Sequence, residues 1–121
     1  PHFPGNGTAG ANDSRPPGER VKATLRLDPF LVNLADSVDS RFVKSTFQLG
    51  LAKKMGDDEE TAIAVAAMRD SIITLLSSKT SDQILTIQGK EKLREEIRQR
   101  VNAVSNTKIL EVYIVDFVVQ L

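Results

Sequence analysis

The chain has no cysteine, no tryptophan and a single histidine among its 121 residues. Without cysteine there is no disulfide framework, thiolate nucleophile or zinc–thiolate site, and redox chemistry gives no clue to the compartment. The lone histidine, His2, excludes a multi-histidine metal site, and its place in a proline- and glycine-rich start excludes a Ser-His-Asp arrangement. Aromatic residues make up only 5% of the chain, too few for a base-stacking platform. An excess of either charge is also lacking. Sixteen basic residues balance sixteen acidic ones, so no global field favours nucleic acid or an anionic membrane. No apolar run approaches the roughly 18 residues of a membrane span, and the start lacks the charged and apolar regions of a signal peptide.

What is present is ordinary globular material, 40% hydrophobic and 26% charged, in a length suited to one domain. Residues 1–20 read as a linker or expression remnant and residues 21–121 as the domain. The first 18 residues concentrate proline and glycine and offer little to bury. Within them "GNGTAG" (residues 5–10) spells the dinucleotide fingerprint G-x-G-x-x-G, but no strand precedes it and no helix opens from it. Asn6 and Asn12 head N-x-Ser/Thr triplets, which matter only in a secreted eukaryotic protein.

From Val21 the sequence "VKATLRL" alternates apolar and polar residues, the period of a half-buried strand. Pro29 lacks an amide donor and should kink that strand or hold it at an edge before "FLVNL" continues it. Turn residues 35–40 then lead into "RFVKSTFQLGL", completing a β-hairpin. Asp57 and Glu60 have the spacing of a helix-capping pair. Val65, Met68, Ile72, Leu75 and Leu76 follow as one apolar stripe. The polar cluster Ser77, Ser78, Thr80, Ser81 and Asp82 should stop this helix near Lys79, since such side chains compete for backbone hydrogen bonds. A short turn, "DQIL", precedes Thr86, a cap for a second long helix with Leu93, Ile97, Val101 and Val104 on its apolar face. The last segment is apolar on both parities from Ile109 to Val115, the pattern of a strand covered on both faces, so it is expected at the centre of the sheet. The fold class is therefore α+β: a small antiparallel or mixed sheet with a pair of helices on one face.

The residues offer little chemistry. The acidic run 57–60 lacks the ligand order of a calcium loop and suits a helix start. Asp36, Asp39 and Asp116 are the candidates for a carboxylate pair in a small hydrolase, although turn formation explains loop aspartates as well. Residues 90–100 mix Lys90, Lys92, Arg94, Arg98 and Arg100 with Glu91, Glu95 and Glu96. They read as a solvated helix face with pairs such as Glu96 to Arg100, or as a docking face for a charged partner. Asn33, inside an apolar segment, needs partners if buried. No catalytic, cofactor-binding or metal-binding residue is assigned, and no cofactor, nucleic acid or small-molecule substrate is expected.

The segments "LDPFLVNLAD", "RDSIITLLSSKTSDQILTIQGKEKLREEIRQRVN" and "VYIVDFVVQ", in that order, resemble the periplasmic domain of the flagellar basal body-associated family FliL. Departures are Ile87, where the family often has proline, and Ile114 and Val115, where it often has Phe-Thr. The resemblance implies a fold like the SPFH domain of stomatins and no enzymatic activity. It implies a homo-oligomeric ring around the MotA/MotB stator, supporting engagement, torque and motility. It also implies a full-length protein held in the inner membrane by one helix that this chain lacks, with this domain in the periplasm at the basal body. A membrane-associated SPFH-like scaffold outside the flagellum is the alternative.

Overall fold

Two short strands, β1 (Ala23–Arg26) and β2 (Phe30–Asn33), lie end to end along one edge of a ten-residue strand, β3 (Phe42–Leu51). This arrangement comes from a computed structural model that describes residues 19–121; the segment 1–18, with His2, Asn6, Asn12 and the GNGTAG motif, lies outside the described residues. Both strands run antiparallel to β3, β1 pairing with residues 48–51 and β2 with residues 42–45. The hairpin and the break at Pro29 thus appear where the alternation and the missing amide place them. Arg69 spans the break, donating from Nη1 to the Asp28 carbonyl at 2.8 Å and from Nη2 to that of Pro29 at 3.4 Å. Its guanidinium lies 4.0 Å from the centre of the Phe30 ring, a cation–π contact.

The fourth strand, β4 (Ile109–Gln120), pairs antiparallel with β3 along the other edge. This corrects the expectation from its sequence: β3 is the central strand and β4 is an edge strand. The reason lies in the register. Two irregularities, at Gly50/Leu51 and Thr46/Phe47, leave Leu110 and Val115 as extra residues in β4. Each bulge shifts by one the parity that faces the core. Ile109, then Val112 and Ile114, then Phe117 and Val119 sit opposite Leu51, Leu49, Phe47, Ser45 and Val43. An apolar run on both parities is therefore one inward face displaced twice.

The helices cover the face of the sheet that carries Val43, Phe47, Leu49 and Leu51. Helix α1 (Glu59–Ser77) buries Met68, Ile72, Leu75 and Leu76, with Val65 partly buried against the same core. Its cap is Asp58, whose carboxylate accepts the Thr61 amide at 2.9 Å; the sequence reading put the cap one residue earlier, at Asp57. The Ser78 amide and hydroxyl, bonding back to the Leu75 carbonyl, end the helix within the expected polar cluster. A single turn, α2 (Ser81–Ile84), follows, and α3 (Ile87–Val104) begins at Thr86, whose hydroxyl accepts the Gly89 amide at 2.8 Å. Helix α3 buries Leu93, Ile97 and Val101, while Val104 at its end is 37% exposed. None of the described helices is long and apolar enough to cross a membrane.

Ser45 interrupts the apolar face of β3 between Phe30 and Phe117, fully buried and with no hydrogen-bond partner for its hydroxyl. An unpaired buried hydroxyl carries a desolvation penalty of about 1–3 kcal/mol. Ser45→Ala is therefore expected to stabilise the protein by about 1 kcal/mol, read as a higher urea midpoint with an unchanged slope. A loss of stability would show that the hydroxyl is bonded after all.

Candidate docking surface

Of the three aspartates considered for catalysis, Asp36 is held by hydrogen bonds. Asp36 accepts the Ser81 amide at 2.8 Å on Oδ1 and the Ser81 hydroxyl at 2.6 Å on Oδ2, tying the β2–β3 loop to the start of α2. Asp39 lies in the same loop and shares a shallow, open hollow with Asp36, Arg41 and Asp82. Asp116 lies in β4 opposite Thr46 and is not among the residues lining that hollow. The structure therefore brings Asp36 and Asp39 to one surface and leaves Asp116 out. The Ser81 hydrogen bonds, aided by the nearby Arg41 charge, hold the Asp36 carboxyl below its ordinary value, the opposite of what a general acid needs.

A depressed carboxylate pKa contributes stability above the unfolded pKa and loses it as pH falls through the folded one. Asp36→Asn, which cannot accept the Ser81 hydroxyl through its NH2 group, should lower the melting temperature at pH 7. The gap to wild type should narrow once the pH drops below about 4. Thermal melts of both proteins at pH 7 and pH 3 test this; a gap that widens in acid would contradict it.

The charged stripe of α3 is largely paired within the helix. Glu91 holds Arg94 at 3.0 Å, and Glu95 holds Arg98 through two contacts, the Nε one at 3.0 Å, while also accepting from the Gln99 side-chain Nε2 at 3.2 Å. The Arg98 hydrogen bond lowers the Glu95 pKa, and the same contact raises that of Arg98. Glu96 does not face Arg100 as the helical spacing suggested. It reaches Lys79 at 2.7 Å, joining the end of α1 to α3 where both side chains are mostly sheltered. Asn33, by contrast, is exposed, so its amide raises no burial problem.

Beside this stripe runs the outer edge of β4. Glu91, Arg94, Glu95 and Arg98 form one wall of an open groove, and Glu111, Val112, Tyr113 and Ile114 form the other. Such a charged, open trough lacks the enclosed apolar walls that hold small molecules. Toward the start of β4 Asn102 acts as a piece of neighbouring strand: its Oδ1 accepts the Ile109 amide at 2.8 Å and its Nδ2 donates to the Ile109 carbonyl at 2.9 Å. At the other end the Lys90 ammonium sits 5.3 Å from the centre of the Phe117 ring and donates to the Leu85 carbonyl. Sequence reasoning found the α3 charges but missed the edge, because it placed β4 at the centre of the sheet. Among the described residues no group of histidine, cysteine, aspartate and glutamate side chains is arranged to hold a metal ion.

Comparison with known proteins adds two findings. The family model described as "Flagellar basal body-associated protein FliL" matches residues 24–120, which takes in nearly every element of the fold. A protein of Aquifex aeolicus (strain VF5) described as "Flagellar protein FliL" is 36% identical over 102 residues, covering 83% of this chain and 63% of that protein. The chain thus spans less than two thirds of that relative's length.

Proposed function

The chain belongs to the FliL family of flagellar basal body-associated proteins, and from that premise we propose that it is a non-catalytic scaffold domain of the flagellar motor. In this reading it stands on the periplasmic side of the inner membrane beside the MotA/MotB stator and supports stator engagement, torque and motility. The observation that carries it is the family match across the whole helix and sheet framework, residues 24–120. The site chemistry is consistent with a structural role: Asp36 is committed to Ser81, and the α3 acids are committed to arginine and lysine partners. The SPFH-like comparison draws support from the antiparallel sheet with α1 and α3 on one face. The single membrane helix and the periplasmic placement rest on the family resemblance.

Deleting the gene in the source organism tests this reading. Flagella should still assemble, while soft-agar swimming and the rotation of tethered cells under high load should fall, and re-expression of the membrane-anchored protein should restore both. Unchanged swimming and torque would refute the stator role and favour a scaffold outside the motor.

A further inference from the structure

The described sheet has two outer edges, and they differ in how long an unbroken run they offer to another strand. On the β1–β2 edge the chain breaks at Asp28 and Pro29, where proline offers no amide and Arg69 takes both carbonyls. On β4 the stretch before Val115 is flanked by α3, with Asn102 already bonded to the Ile109 backbone and Arg94 and Arg98 beside Val112 and Ile114. Beyond Val115 the edge pairs with nothing among the described residues. Natural open edges are usually guarded by lysine, proline or an inward charge. The sequence from Val115 to Leu121, "VDFVVQL", contains no lysine and no proline.

That stretch reads as a chemical palindrome about Val118. Phe117 and Val119 flank the centre, Asp116 mirrors Gln120, and Val115 mirrors Leu121. We propose that this segment pairs antiparallel with the same segment of a second copy, about a twofold axis through Val118, joining two sheets into one.

The backbone supports that register. Leu51, Phe47 and Arg41 turn their carbonyls toward the β1–β2 side, so the even-numbered residues of β3 bond to β4. Their partners at this end are Asp116, Val118 and Gln120, which leaves the amides and carbonyls of Phe117 and Val119 facing outward. Around the axis Phe117 of one copy exchanges hydrogen bonds with Val119 of the other. The two Val118 residues then form a non-hydrogen-bonded pair, where Cα atoms approach to about 4.5 Å and side chains come closest. Every facing pair suits its partner. Phe117 meets Val119 on the core-facing side, each Gln120 amide faces an Asp116 carboxylate, and the two valines meet on the outer face. The side chains this contact would cover are exposed: Val118 by 47%, Val115 by 41% and Leu121 by 76%.

Arg94 and Arg98 are paired with Glu91 and Glu95 within α3, and Glu96 with Lys79, so these charges contribute little to this contact. A twofold contact closes on itself and gives pairs; a ring of copies would need a separate head-to-tail surface. The inference stands independently of the flagellar reading. So small an interface predicts weak association, with a Kd of about 10 µM to 1 mM.

Because the protein has no cysteine, Val118→Cys introduces a single thiol on the axis, and mild oxidation should give a disulfide-linked dimer in high yield. Val118→Lys and Val118→Glu should each weaken self-association in sedimentation equilibrium at least about tenfold, because like charges then meet on the axis. Mixing the two variants at low salt should restore a one-to-one dimer. Melting temperatures should match wild type, since Val118 is half exposed. The proposal is overturned if wild type stays monomeric to about 1 mM, or if both charged variants associate as wild type does. It is also overturned if association survives at Val118 but is lost when Arg94 and Arg98 are changed to glutamate, which would place the contact on α3.

Discussion

Gly89→Ala is expected to destabilise the protein by about 3 kcal/mol, although alanine is the better helix former by about 1 kcal/mol. Gly89 lies in the first turn of α3, and its amide is bonded to the Thr86 cap. A Cβ there would stand 1.9 Å from the Gln83 carbonyl oxygen and 2.9 Å from its carbon. These are backbone atoms of α2, so no side chain can swing aside. Relief would require α2 to lift away from α3, and α2 carries the fully buried Ile84. Overpacking of this kind costs about 1–3 kcal/mol and sometimes more, which exceeds the helix-propensity gain. Gly56→Ala is the control: the nearest atom to its Cβ would be 3.8 Å away, and a change within about 0.5 kcal/mol is expected. Urea unfolding of the two variants side by side decides the matter, and equal small effects would mean the α2–α3 contact is looser than described.

Phe47→Ala should be costlier still, about 3–5 kcal/mol, through lost burial and the cavity left behind. Phe47 is fully buried on the central strand, between Leu27 and Phe30 on one side and Ile114 on the other. Its ring meets that of Phe30 edge-on, with centroids 5.7 Å apart and planes at 61°. An aromatic pair in this geometry adds about 0.5–1.5 kcal/mol beyond area burial, which a double-mutant cycle with Phe30→Ala isolates. For a protein whose total stability is about 5–15 kcal/mol, the single change approaches unfolding. A loss below about 1 kcal/mol would place the centre of the core elsewhere.

The parts of this fold legible in the sequence are those set by near neighbours. Alternation from Val21 to Leu27 and the missing amide of Pro29 give β1, the break and β2, and Thr86 marks the start of α3 because its cap is only three residues from its partner. Asp57 and Asp58 are equally good caps on paper; the bond to the Thr61 amide selects the second. Pairings across the fold left no local trace. Asp36 reaches Ser81 and Arg69 reaches Asp28 over separations of 45 and 41 residues. The position of β4 was obscured by its own bulges, because a parity rule assumes an unbroken register and this strand breaks it twice. The candidate surface suffered most, since whether a strand has a free edge depends on what pairs with it.

That same placement of β4 fixes the order in which the sheet can be completed. Strands β1, β2 and β3 are neighbours in sequence and can zip together as soon as they meet. The second side of β3 instead waits for a strand that follows all three helices, with residue 51 joining residue 109 and residue 42 joining residue 120. Closing so long a loop costs chain entropy before any contact forms, which slows folding relative to a chain built from local pairs. During synthesis, the most buried strand of the protein emerges with one flank bare and stays so until β4 arrives. A ribosome-stalled chain ending near residue 105 should therefore show the β1–β3 hairpin without a cooperative core, and remain sensitive to protease until the final strand is released.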